Sequence, residues 1–261
     1  MLLNYITSGL PELDVPNIKH LRMDQLFIRL CEKDWKKSNK VVEPDETAPL
    51  RCTQTFMQEL ELYLIGKREE YVDVSTLSDP QLGVILSESG NTTLFRETPT
   101  ASINTLLGMM DDRVKTRIQF LMSGMDRDLI TAKLRQYAKY YKNKRPKSSI
   151  YDFYLDFLAQ WSTTHNNIDM GKHLSRLAAK EYDLYDIAAL ALIHYRITQK
   201  EPNQEFGLLF LDEAQDFGIG AYYVLKRLLP ATYFTIMGDV SQNINYHTGL
   251  NDWYDLQKLF L

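Results

Sequence analysis

The sequence predicts an α/β protein in which a partial parallel sheet, formed by the two ends of the chain, is interrupted by a large and mostly helical insertion. Two continuous apolar runs, Phe206 to Leu211 and Tyr233 to Met237, flank one helical pattern, which reads as strand, crossover helix, parallel strand. Upstream of them, apolar residues recur at helical spacing through several segments between residues 100 and 196. A chain of 261 residues, 44% hydrophobic and 25% charged, has the balance of a globular protein with a sizeable core.

Met1 to Leu10 reads as an amphipathic helix ended by Pro11, and Pro16-Asn17 as a turn. Ile18 to Leu21 suits a short strand, and Asp24 suits the cap of a helix carrying Leu26, Phe27 and Leu30. Phe56, Leu60 and Leu64 mark another helix, and residues 82 to 95 suit short strands around Ser89-Gly90-Asn91. Helices are expected over Thr100 to Met122 and Asp126 to Tyr141. The stretch from Lys142 to Ser149 is a loop, because charge, proline and serine break the apolar pattern. Further helices fit Ile150 to Trp161, Met170 to Lys180 and Leu184 to Arg196, the last apolar on most sides and therefore buried. Phe206 to Leu211 suits a strand covered on both faces. A helix from Ile219 to Leu229 is stopped by Pro230 before the second strand.

The net charge of -4 means that any basic surface is local. Cys31 and Cys52 are too few for a disulfide framework or a zinc site, so reduced thiols in a cytoplasmic protein are expected, and separately a monomer. No apolar run reaches membrane-span length, and Met1 to Ile6 lacks the basic start of a signal peptide. The acidic pairs Asp45-Glu46, Glu69-Glu70 and Asp111-Asp112 have no strand end beneath them and read as solvated turns. Trp35, Trp161 and Trp253 read as core or domain-junction residues.

The chemistry gathers near the end of the chain. Asp212-Glu213-Ala214-Gln215-Asp216 directly follows the first strand, and Gly238-Asp239-Val240-Ser241-Gln242 follows the second. Both therefore fall on the carboxyl edge of one sheet, where α/β folds bind ligands. Adjacent carboxylates there are costly without a cation or a task. One can hold Mg²⁺, which keeps its waters and needs one or two carboxylates plus phosphate oxygens; the other can deprotonate an attacking water.

These two motifs resemble motif II (Walker B) and motif III of UvrD-like superfamily 1 helicases. Val224 to Pro230 and Ile244-Asn245 look closest to the HelD branch, motors that recycle bacterial RNA polymerase. Leu3 to Ile6 and Leu10 to Leu13 look like the segment after motif Ia in that branch. The resemblance implies a partial RecA-like domain, divided into residues 1–34, an insertion at 35–162, and residues 163–261 carrying both motifs. It implies that Asp212 coordinates magnesium and Glu213 is the general base. Gln215 and Asp216 would link the nucleotide site to neighbouring motifs, Gly238 and Asp239 would border the nucleotide, and Gln242 would sense its γ-phosphate. ATP and Mg²⁺ are the implied cofactors, and nucleic acid or RNA polymerase the implied partner. A 3′ to 5′ DNA helicase of repair or recombination is the alternative.

Two departures matter. No Gly-x-x-x-x-Gly-Lys-[Ser/Thr] phosphate loop occurs in the 261 residues. The chain as given is thus expected to hydrolyse no ATP, as a piece of a longer motor would. After motif III, where UvrD-type helicases place a base-stacking aromatic and an Arg-Gly pair, this sequence reads Tyr246-His247-Thr248-Gly249. Tyr246 or His247 could stack on a base, but the arginine is missing. Separately, Lys133 to Lys147 holds seven basic residues and no acidic one, interleaved with Tyr137, Tyr140 and Tyr141. Lys139, Lys142 and Arg145 are its candidate contacts to nucleic acid or a partner, against the alternative of a solvated face with tyrosines packed inward.

Overall fold

The computed structural model describes residues 19–165, 168–199 and 205–260. The helix expected at Met1 to Leu10 and the turn at Pro16-Asn17 lie outside them. Residues 19–22 are not a strand. Helix α1 (Met23–Leu30) starts at Arg22, whose amide is capped by Gln25 at 3.0 Å. Asp24 is not the cap; it sits in the first turn and pairs with Arg22.

Strand β1 (Lys40–Val41) leads to α2 (Ala48–Arg51) and to α3 (Gln54–Tyr71), capped by Thr53. An antiparallel hairpin follows, β2 (Leu77–Asp79) and β3 (Gly83–Leu86). Ser89-Gly90-Asn91 depart from the sequence expectation: they begin a helix, α4 (Glu88–Glu97), not a turn between strands. Ser87 caps it by accepting from the Gly90 amide at 3.2 Å. The buried Asn91 amide ties it to the Val74 and Ser75 carbonyls.

Then come α5 (Ile103–Leu121) and α6 (Arg127–Gln136), capped by Ser102 and Asp126. Helix α6 ends five residues before Tyr141, and Lys139 takes a left-handed conformation, φ 57°. Helix α7 (Ile150–Thr164) opens with a Ser149/Asp152 capping box. Helix α8 (Gly171–Ala178) is followed by β4 (Glu181–Tyr182), which pairs parallel with β1. Asp183 caps α9 (Leu184–Ile197). The chain finishes with β5 (Leu208–Leu211), α10 (Ile219–Leu228), β6 (Tyr233–Ile236) and α11 (Tyr254–Phe260).

Helix α9 is the centre of the fold. Ile187 to Ile193 are wholly buried, and α1, α3, α7 and α10 pack around them. Glu61 of α3, nearly buried, accepts from Arg196 of α9 and Tyr223 of α10, tying three helices together. Trp161 is buried, and Trp35 and Trp253 are half-buried against the same core. Both cysteines are buried free thiols; burial pushes Cys31 up to about 12 and Cys52 up to about 11. No described helix is long and apolar enough to cross a membrane.

The architecture is mixed α/β, mainly helical, with three two-stranded sheets among the described residues. Strands β5 and β6 are parallel, in register from Leu208↔Tyr233 to Leu211↔Ile236. The expected burial on both faces is not found. Leu209 and Leu211 enter the core, but Leu208 is 50% and Phe210 65% exposed, as is Tyr233 at 78%. Among the described residues nothing covers that second face.

Candidate functional site at the carboxyl edge of the sheet

The β5–β6 ladder continues past the strands. Met237 N donates to Leu211 O at 2.8 Å, and Ala214 N to Met237 O at 2.9 Å, so both acidic motifs are pinned side by side. Gln215 locks them. Its side chain is nearly fully buried. Nε2 donates to Glu213 Oε2 at 2.8 Å, and Oε1 accepts from the Asp239 amide at 3.0 Å. Its carbonyl accepts from Leu250 N at 2.8 Å, which draws in the loop after the second motif.

Two glycines permit this closeness. A β-carbon on Gly238 would stand 2.3 Å from Gln215 Oε1 and 2.9 Å from Ala214 N. One on Gly249 would stand 2.2 Å from the Gln215 carbonyl.

Glu213 is left-handed, φ 50°, ψ 42°, a conformation that costs a non-glycine residue on the order of 1 kcal/mol. Asp212 is exposed, and its Oδ1 accepts from the Glu213 amide at 3.0 Å. The Asp216 carboxyl is raised, first by burial and then by the charge on Glu213. Asp239 is held low by hydrogen bonds, first from Ser241 and then from Gln242. Gln242 is therefore engaged: its Nε2 donates to Asp239 Oδ2 at 3.0 Å. Of Gln215 and Asp216, it is the Gln215 side chain that hydrogen-bonds to both motifs.

The helical body holds this edge from behind. Tyr222 of α10 donates to the Ala214 carbonyl at 2.7 Å. Tyr185 of α9 donates to the Thr248 carbonyl at 2.8 Å and accepts from Gly218 N at 3.2 Å. Gly220 N donates to the Cys52 carbonyl at 2.7 Å. Beside Cys52, the wholly buried Arg51 guanidinium meets Asp183 at 2.6 Å, Asp186 at 2.7 Å and Asp45 at 3.0 Å. Tyr154 donates to Asp186 at 2.7 Å, and His173 Nδ1 lies 2.8 Å from Asp45. Asp45 is thus not a solvated turn residue but one wall of an internal ion cluster. Asp111 also departs from that expectation: it accepts from the Tyr141 and Lys142 amides. Glu69 and Glu70 are exposed but belong to the last turn of α3, and Asp111 and Asp112 belong to α5, so neither pair is a loop turn.

The sequence reasoning missed Arg51, Asp183, Asp186, His173, Tyr185 and Tyr222. The Asp183-x-x-Asp186 spacing before an apolar run was a legible cap signal. The others carry no local signature.

The structure brings Asp212, Glu213, Gln215, Asp216, Gly238, Asp239 and Gln242 to one edge. Tyr246 and His247 follow on an exposed loop, edge-on to each other at 5.6 Å. They rim a groove of about 250 Å³ with Cys52, Thr53, Gly218 and Asp255. Lys139, Lys142 and Arg145 lie on the α6–α7 connection and bond to none of these residues.

Among the described residues no three histidine, cysteine or acidic side chains converge as a metal cage. The exposed Asp212 carboxylate fits the narrower demand of Mg²⁺, one carboxylate with waters and phosphate oxygens. The 261 residues contain no glycine-lysine loop of the kind that cradles an ATP phosphate chain. No family model matches this sequence, and no curated protein matches it.

Proposed function

We propose that this chain carries the magnesium- and water-handling edge of a nucleic-acid motor of the UvrD-like superfamily 1 type, closest to the HelD branch. In the complete motor, ATP hydrolysis would be coupled to remodelling or release of RNA polymerase from nucleic acid. The observation that carries this reading is the Gln215 bridge. One buried amide joins the carboxylate of the first motif to the backbone of the second, so a change at either reaches the other.

Bound magnesium would neutralise phosphate charge and supply an ordered water. Asp212 presents an exposed carboxylate for it at the strand end. Glu213 has one carboxylate oxygen held by Gln215, and the other would accept the proton of the attacking water. The Asp216 carboxyl beside it is raised first by burial and then by the charge on Glu213.

A titration with Mn²⁺, a paramagnetic substitute for Mg²⁺, tests the site. NMR signals around residues 211–216 should broaden in the native chain and not in Asp212→Asn. Equal broadening in both would remove the metal role. The partner is tested by capture of bacterial core RNA polymerase at moderate and high salt; capture that survives salt supports the HelD-like reading.

A 3′ to 5′ DNA helicase is the second reading. Tyr246, 69% exposed on the loop after the second motif, favours it, because its ring is free to meet a base.

A further inference from the structure

The basic stretch from Lys133 to Lys147 stands out in a chain whose net charge is -4. The structure separates its cations into two groups. Lys133 is internal, reaching the buried Asp79 at 2.8 Å. Lys144 pairs with Asp73 at 2.7 Å and lies 4.8 Å over the Tyr140 ring. Arg135, Lys139, Lys142, Arg145 and Lys147 are exposed, and among the described residues none of them has an ion-pair partner. Asp111 bonds the Tyr141 and Lys142 amides at 2.8 and 3.0 Å, fixing the turn that presents these side chains.

The interleaved tyrosines are not free to stack. Tyr137 donates to Asp79 at 2.8 Å, and Tyr141 is fully buried. Tyr140 is half-buried, edge-on to Tyr141 at 5.0 Å and capped by Lys144. No large apolar side chain within the stretch is exposed. A protein partner would want an apolar or aromatic anchor here, and a base-reading surface would want an open ring. Five exposed cations close in sequence, without ion-pair partners among the described residues, match instead a polyanion.

From this arrangement we infer that the last turn of α6 and the α6–α7 connection bind the sugar-phosphate backbone of nucleic acid through Arg135, Lys139, Lys142, Arg145 and Lys147, without reading base sequence. The inference deepens the motor reading by naming the partner's chemistry. It uses residues away from the sheet edge and needs neither nucleotide nor magnesium.

The test is fluorescence anisotropy of a labelled dT homopolymer and a mixed-sequence duplex, titrated across a salt series without nucleotide or divalent cation. The variant Lys139→Asn/Lys142→Gln/Arg145→Gln/Lys147→Gln removes four charges; asparagine is chosen at 139 because it tolerates the left-handed backbone. Affinity at low salt should fall by at least about tenfold, and the log–log salt slope on dT should shrink by roughly 0.7 for each phosphate that is no longer neutralised. Tyr140→Leu and the control Lys33→Gln/Lys37→Gln should bind as the native chain does, with circular dichroism confirming the fold of each. Absence of binding at low salt, or native-like binding by the four-site variant, would overturn the inference. So would capture of core RNA polymerase that survives nuclease and is abolished in that variant, since the surface would then be a protein-docking one. None of these outcomes bears on the Mn²⁺ titration, which tests the sheet edge separately.

Discussion

The Gln215 side-chain oxygen lies where a β-carbon on Gly238 would be, 2.3 Å from its position. The bridge between the two motifs therefore depends on a hydrogen atom at residue 238. Gly238→Ala should push the amide off the Asp239 backbone and cost about 1–3 kcal/mol in urea unfolding. Gln215→Leu should cost a similar amount, about 1–3 kcal/mol, by leaving the Asp239 amide without its acceptor. Both should weaken the Mn²⁺ broadening at residues 211–216. A Gly238→Ala chain with native stability would show that the two groups relax apart freely.

Among the described residues, Arg51 is the sole guanidinium facing Asp183 and Asp186 in their buried site. Arg51→Met should therefore destabilise the chain by about 3–5 kcal/mol, since two carboxylates lose their counter-charge. Arg51→Lys should recover only part of this, because an ammonium cannot span both. Thermal unfolding of the two variants, read beside the native chain, checks the order.

The same cluster should make stability depend on pH. Around His173 stand Asp45, Asp186, Arg51 and Tyr154, with Arg176 paired to Asp45. Burial opposes protonation of His173, but Asp186 at 3.1 Å and Asp45 outweigh it and raise its pKa. A raised histidine contributes fully below its unfolded value, about 6.5, and the contribution is lost as pH rises through the folded value. Asp45 is shifted the opposite way: burial opposes it, while hydrogen bonds from Thr47 and His173 and the charge of Arg51 hold it low. Its contribution is present above the unfolded carboxylate range and is lost only as acid titrates it below that range. Urea midpoints should thus fall from pH 6 to pH 8.5 in the native chain and stay flatter in His173→Gln. Parallel profiles would rule out the histidine.

The two faces of β5 should respond differently to mutation. Leu209→Ala should cost about 2–5 kcal/mol, because Leu209 is 8% exposed. Phe210→Thr should change stability by no more than about 0.5 kcal/mol, and should lower any concentration-dependent association seen in light scattering.

Some of this protein was legible in the sequence because the signals were local. Helix α9 was legible as buried because apolar residues occupy nearly every side of it. The parallel strand pair was legible because two apolar runs flank one helical length. The candidate edge was legible because Asp212 to Asp216 and Gly238 to Gln242 each sit immediately after a strand. Propensity alone misplaced Ser89-Gly90-Asn91. There a serine cap and a buried asparagine, bonded to carbonyls sixteen and seventeen residues earlier, outweighed glycine's preference for a turn.

What only the tertiary structure decided is pairing between distant residues, since hydropathy periodicity carries no information about partners. Arg51 meets Asp183, 132 residues away, and Asp45 leaves solvent to join them. Tyr137 turns inward to Asp79, 58 residues away, which removes it as a base platform. Gln215 is one polar residue among several in its motif. The close approach of Gly238 and Gly249 selects it, and not Asp216, as the residue that joins the two strand ends.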